Sequence, residues 1–283
     1  MLSRSLGKRI DRGEGDSIFS FVSPVLRQAD IAAGNLECAI GESGTRAEKG
    51  YTFLAPPASV NILNDAGFDL LALSNNHILD YGATTLMETL DVLHSSDIQL
   101  VGAGKNNDQA RAPVLITIRG IRLAFFAYAD IPIEYNGFDA RLWIAGPVTP
   151  GITWAYAEGM RTDIRDVRPN VDFVIIFMHF GVEGATEPSS QQIALAHGAV
   201  DSGADIVIGS HPHMLQTVEK YQEGLIFYSL GNFVFDGFSG SANSSVIAWI
   251  ILEPDGHKTY KTLSIQIVDG VPILEETFAT DTQ

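Results

Sequence analysis

The chain has 283 residues, of which 46% are hydrophobic and 18% charged, a balance that suits a folded globular protein and excludes a disordered tail. Its 34 acidic residues against 18 basic ones give a net charge of −16, with no lysine- or arginine-rich cluster. That excludes nucleic acid and an anionic membrane surface as partners, since both need a cationic face.

Cys38, the one cysteine, rules out an intrachain disulfide and a cysteine-based zinc site, and is expected as a small buried residue. No apolar run approaches the roughly 18 residues of a membrane span. Residues 1–16 are polar and mixed in charge, unlike a signal peptide. The chain is expected to be soluble.

Residues 1–30 hold little periodic signal; Phe19, Phe21, Val22 and Leu26 suit one face of a short helix after Asp16. Residues 31–33 run into GNLE at 34–37, which places Asn35 and Glu37 on one face if the stretch is extended. Residues 41–51 form a polar loop. Pro56 and Pro57 open a helix with Val60 and Leu63 inside and Gly67 as its C-cap. FDLLAL at 68–73 reads as a buried strand ending in Ser74, Asn75, Asn76 and His77, with Asp80, Tyr81 and Gly82 close behind.

The spacing of Leu86, Leu90 and Leu93 predicts a helix over 83–95, and 98–101 the next strand. Strand and helix alternate to this point, the mark of α/β layers. Residues 113–118 and 121–128 flank Arg119 and Gly120 as a hairpin. Residues 130–149 have no clean period and read as an excursion over a site or an insertion. A helix over 154–167 precedes VDFVIIFM at 171–178, whose continuous apolar pattern implies burial on both faces. That strand delivers His179, Gly181 and Glu183. A helix over 188–202, a strand over 205–208, a strand over 225–228 and a terminal strand pair within 246–267 complete the chain as one domain over 1–283.

Strand 205–208 ends in GSHPH at 209–213. Proline biases the residue before it toward extended geometry, so His211 and His213 are expected to point to one side. Glu37, Asn76, His77, His179, His211 and His213 each follow the C-terminal end of an apolar strand, where α/β folds gather their sites. Imidazole, carboxylate and amide together are ligand chemistry for Mn, Fe or Zn. Plainer roles stay open: His77 as a loop cap, His179 as a core histidine, Asn232 as a turn residue. His94, His197 and His257 lie away from strand ends and receive no role.

GNLE at 34–37, NNHILDYG at 75–82, HFGVE at 179–183, GSHPH at 209–213 and YSLGNFVFD at 228–236 resemble the CapA family of poly-γ-glutamate capsule synthesis proteins. The domain of that family is similar to the calcineurin-like metallophosphoesterases. The resemblance implies a four-layer α-β-β-α sandwich with mixed sheets. It also implies a hydrolase-like site in which Glu37, His179, His211 and His213 hold one or two divalent transition metal ions. His77 acts as acid or ligand, oriented by Asn76, and Asn35, Asn75, Asp80, Glu183 and Asn232 support them.

It further implies capsule-polymer biosynthesis, with a polymer or small-molecule substrate, other capsule-synthesis proteins as partners, and relatives at the bacterial cell envelope. Two alternatives stand beside it: a non-catalytic polymer-binding or assembly module, and a generic metallophosphodiesterase. Two departures matter. Asn35 stands where the superfamily has a bridging aspartate, and the family opens with a strand ending in Gly-Asp that would precede Met1. Either that strand, with or without an anchor, is missing upstream, or an acidic ligand has been lost.

Overall fold

The structure, a computed structural model, describes residues 1–275. At its centre lies a six-stranded sheet in the order Val218–Tyr221, Gly224–Phe227, Ile206–Ser210, Phe173–Phe180, Ile121–Asp130, Val114–Ile118. The inner four strands are parallel and the two outer ones antiparallel. All eight residues of Phe173–Phe180 are buried, as the unbroken apolar run predicts.

Because side chains alternate along a strand, the two faces of this sheet bury different partners. Val174, Ile176 and Met178 pack under the helices Ala157–Val167 and Ser190–Asp201. Phe173, Ile175 and Phe177 face a second layer of strands, against Leu70, Ala72 and Val101. Full burial of such a side chain stabilises by about 1.5–3 kcal/mol, so this strand is a rigid base for the histidine at its end.

The second layer holds two three-stranded sheets. One is parallel, in the order Ala33–Asn35, Leu70–Ala72, Gln99–Val101; the other is antiparallel, in the order Ser244–Leu252, Lys258–Val268, Val271–Leu274. Beyond them the helices Arg4–Asp11, Ser59–Ala66 and Gly82–His94 close the other side through Leu6, Leu63 and Leu90. The expected four-layer α-β-β-α sandwich with mixed sheets is therefore present. No helix among the described residues is long and apolar enough to cross a membrane.

Several elements differ from expectation. The helix Arg4–Asp11 escapes a periodicity reading because it is mostly charged and buries just Leu6, Gly7 and Ile10. The short helix after Asp16 is Ser23–Leu26, and Phe21, assigned to its inner face, is 56% exposed. The edge strand Val218–Tyr221 mixes charge and apolar residues, and Val271–Leu274 lies past the expected last strand.

The loops at the strand ends are tied by specific contacts. Ser189 and Gln192 form a reciprocal capping box at the start of Ser190–Asp201. The Gln192 amide donates to Gln216 Oε1 at 2.9 Å, and Gln216 donates to the carbonyls of Ala185 and Glu187. That chain joins the loop after His179 to the loop after His213. Gly209 allows a close approach of backbone: a Cβ there would meet the Tyr228 carbonyl oxygen at 2.0 Å. Gly209→Ala is expected to lower Tm by several degrees, since backbone must move; an unchanged melting curve would contradict this.

Candidate metal centre

Four strand ends converge on one point. Glu37, His179 and His211 are all buried, and one ligand atom from each lies within 4.8 Å of the others. His213 adjoins them, with Nε2 3.5 Å from Glu37 Oε1, and His179 Nε2 is 3.9 Å from the same oxygen. Asn76 Oδ1 stands 3.0 Å from His179 Nε2. Ligands about 2.0–2.2 Å from a shared ion stand roughly 3–3.6 Å apart, so this packing is close to what one cation needs.

Two orphaned atoms strengthen the fit. Glu37 Oε1 and His211 Nδ1 are buried without a hydrogen-bond partner among the described residues. Leaving such groups unpaired costs about 1–3 kcal/mol each. Burial, then the neighbouring histidines, holds the pKa of His179 and of His211 well below the ordinary imidazole value. Both rings are thus neutral at physiological pH, the form that coordinates metal. Residues and chemistry fit a divalent transition metal.

The geometry of the two histidines after the central strand corrects one expectation. His211 has φ 99° and His213 φ 58°, so neither is extended, and the preference imposed by Pro212 is overridden. Left-handed backbone at non-glycine residues costs about 1–3 kcal/mol each and persists where surroundings over-determine it. Here Gly184 N–H donates to the Pro212 carbonyl at 2.8 Å. The Asn232 amide donates to the His213 carbonyl and, at 3.0 Å, to that of Ala242. The rings are still 6.2 Å apart and both reach the cluster. Asn232 Oδ1 lies 2.7 Å from His213 Nδ1; a proton on Nδ1 donates there and leaves the Nε2 lone pair toward Glu37.

The polar neighbours set orientation. Asn75 Nδ2 donates to Asn35 Oδ1 at 3.2 Å, so the Asn35 oxygen is engaged while its amide nitrogen faces Glu37 Oε2 at 3.2 Å and His179 Nδ1 at 3.4 Å. Ser210 Oγ lies 2.9 Å from His179 Nδ1. His77 was expected to be oriented by Asn76; instead the Asn76 side chain turns to His179 and Glu134. Asp80 Oδ2 takes that role 2.7 Å from His77 Nδ1, while Asn75 Oδ1 accepts the His77 backbone N–H at 2.9 Å. Burial, then the Lys49 charge, pushes the His77 pKa down to about 3. Glu183 is exposed, and no hydrogen bond among the described residues joins it to the cluster.

A buried cation underlies the site and was not singled out in the sequence. Lys49 has a fully buried side chain 3.2 Å from Asp80 Oδ1 and 2.9 Å from Glu134 Oε1, and its ammonium donates to the Asn76 carbonyl. Among the described residues Asp80 Oδ1 has the Lys49 ammonium, 3.2 Å away, as its charge partner. Burial pushes the Asp80 carboxyl up to about 7, opposed by Lys49 and by the Phe53 N–H. Glu134 comes from the aperiodic stretch 130–149, which does lie over the site. His197, given no role, pairs with Glu219 and stacks on Tyr221.

Residues 1–237 match the family model described as bacterial capsule synthesis protein PGA_cap. The chain is 32% identical to the capsule biosynthesis protein CapA of Bacillus anthracis, over 96% of this chain and 66% of that one. It is likewise 32% identical to the PGA biosynthesis protein CapA of Bacillus subtilis strain 168, over 96% and 70%. The chain thus spans about two thirds of the length of these relatives. A crystal structure of a hypothetical protein from Thermus thermophilus superposes with TM-score 0.51 over 92% of this chain and 91% of that one, at 16% identity, a likeness of fold alone. The chain belongs to the bacterial capsule synthesis protein family PGA_cap.

Proposed function

We propose that the protein works in capsule or poly-γ-glutamate biosynthesis as a metal-dependent, hydrolase-like enzyme acting on an amide or phosphate linkage. The names of the two CapA relatives support the process. The observation that carries the chemistry is the pair of orphaned buried atoms, Glu37 Oε1 and His211 Nδ1, beside the imidazoles of His179 and His213. Glu37, His179, His211 and His213 would hold one Mn, Fe or Zn ion. Such an ion supplies a bound water of lowered pKa and a clamp for anionic oxygen.

The chain's own residues do the rest. Asp80 accepts a hydrogen bond from His77 Nδ1–H, which fixes the ring and leaves the Nε2 lone pair of the neutral imidazole free to serve as a ligand. Asn35 fixes Glu37 and His179, and Ser210 holds His179 at Nδ1, which leaves Nε2 directed toward Glu37 and Asn76. A second reading, a non-catalytic polymer-binding module, is favoured by the neutral amide of Asn35, which bridges two cations poorly.

Metal content by mass spectrometry, on protein purified without chelator, decides first. About one equivalent of transition metal is expected, as a catalytic site needs three protein ligands plus water. His179→Ala and His211→Ala should lose it, while His197→Ala, away from the cluster, should keep it. Metal-free protein after reconstitution would end the hydrolase reading; bound metal without turnover of amide or phosphodiester probes would favour the binding module.

A further inference from the structure

Beside the metal centre, Arg4 presents a guanidinium whose hydrogen-bonding fork is open. Its central carbon lies 4.7 Å from the middle of the Phe53 ring and 5.3 Å from that of Tyr51. The Phe53 ring is in turn 4.3 Å from the His77 ring, and the Phe53 N–H donates to Asp80. On its other flank the head of Arg4 meets Asp236 and Gly237. Their neighbours Phe235 and Phe238 stand 5.1 and 4.9 Å from the His213 ring. Arg4 is thus held between two segments that each touch an imidazole of the site.

The local structure holds this arginine in place against its own backbone preference. Arg4 has φ 53°, left-handed for a non-glycine residue, and such strain persists where the surroundings over-determine it. Ser5 supplies the hold: its N–H donates to Asp236 Oδ2 at 3.0 Å, and its hydroxyl donates to the same oxygen. Asp236 Oδ1 lies 4.0 Å from Arg4 Nη1, beyond hydrogen-bond reach. The carboxylate therefore steadies the guanidinium by charge without occupying its donors. Gly237 leaves room for the head, since a Cβ there would meet Nη1 at 3.2 Å.

Other cations near the centre are engaged. Lys49 is buried on Asp80 and Glu134, Arg141 closes its fork on Asp139, and Arg46 donates through Nε to Thr52. Arg4 keeps a side chain 37% exposed, and no hydrogen bond among the described residues uses its five N–H donors. With a net charge of −16 the molecule repels anions at range, so an anionic ligand needs a local cation here.

We infer that Arg4 binds an oxyanion of the substrate, a carboxylate or phosphate flanking the linkage at the metal centre. A guanidinium fork matches both groups with paired, charge-assisted hydrogen bonds. Tyr51, 67% exposed, and Phe238, 37% exposed, edge the mouth and offer apolar contact to the skeleton that carries the anion. The inference rests on the hydrolase reading for the linkage, and on Arg4 and its neighbours for the anion.

The test is heteronuclear NMR of the full chain, treated with chelator so that no metal competes for the anion. It is titrated with N-acetylglutamate, phenyl phosphate and the neutral N-acetylglutamine amide. The Arg4 Nε–H signal, identified by its absence in Arg4→Lys, should move saturably with at least one anion and not with the neutral amide. Whichever anion binds more tightly identifies the group. Arg4→Gln should weaken that binding about tenfold or more. Arg4→Lys should recover part of it, because charge returns without the fork. Arg119→Gln, in the hairpin turn and paired with Asp30, should leave it unchanged. An Arg4 signal that neither anion moves overturns the inference, and the wild-type protein alone decides this even if a variant is unstable. Equal affinity in Arg4→Gln, or a neutral amide bound as tightly as the anions, also overturns it. Anion binding through Arg4 in a protein that takes up no metal on reconstitution keeps this site and ends the hydrolase reading. Bound metal beside an unresponsive Arg4 does the reverse.

Discussion

Lys49→Met should destabilise the fold by about 3–5 kcal/mol, the range for removing one partner of a buried ion pair. The methionine keeps roughly the length of the side chain and its apolar contact with Phe138 and Trp143, whose ring centroids lie 4.9 and 5.0 Å from the ammonium. What vanishes is the charge facing Asp80 and Glu134, together with the hydrogen bond to the Asn76 carbonyl. Asp80 has a fully buried side chain, and without the ammonium its ionised form has only the Phe53 N–H and His77 to hold it. Lys49→Met/Asp80→Asn should regain part of the loss, because a neutral amide tolerates burial better than an unpaired carboxylate. Denaturant unfolding of wild type, both single variants and the double variant at pH 8 measures this as a cycle. A loss under about 1 kcal/mol for Lys49→Met would show that the ammonium merely offsets its own desolvation.

This network also marks where sequence reading stops. Glu37, His179, His211 and His213 were legible because each follows an apolar strand, and strand ends in layered sheets converge whatever the loops do. Lys49 and Glu134 sit in aperiodic loops 85 positions apart, and only the tertiary fold brings them 2.9 Å together. The one local signal was a lysine in a chain with few basic residues, which does not tell a buried ammonium from a solvated one. The positive φ of His211 was hidden for a related reason. Local preference before a proline favours extended backbone, and the contacts that overrule it come from Gly184 and from the Asn232 amide on the next residue but one. The helix Arg4–Asp11 was missed because so short and charged an element is held by packing on Leu6 and Ile10 and not by its own periodicity.

Acid should unfold the chelator-treated protein steeply. His77, His179 and His211 are buried neutral, with folded pKa values held below the ordinary 6.5, that of His77 at about 3. Below pH 6.5 the unfolded chain binds a proton at each of these three positions and the folded chain does not, so stability falls as pH falls. Asp80 works in the opposite sense. Its folded value of about 7 lies above the unfolded 3.8, so between these limits the folded chain holds one proton the unfolded chain has released. Its contribution is full below 3.8 and lost as pH rises through 7. Between about pH 4 and pH 6 His77 and Asp80 offset one another, one proton against one, so His179 and His211 set the direction, and each uncompensated proton is worth about 1.36 kcal/mol per pH unit. Stability should therefore drop as pH falls below about 6, against the 5–15 kcal/mol available to a domain. Denaturant midpoints across pH 4–8 read the slope directly. His77→Gln, which removes one of the three sites, should make it shallower by about one proton's worth. A slope near zero over that interval, or one that His77→Gln leaves unchanged, would mean that these imidazoles gain charge within the fold and that the cluster is wetter than its burial implies.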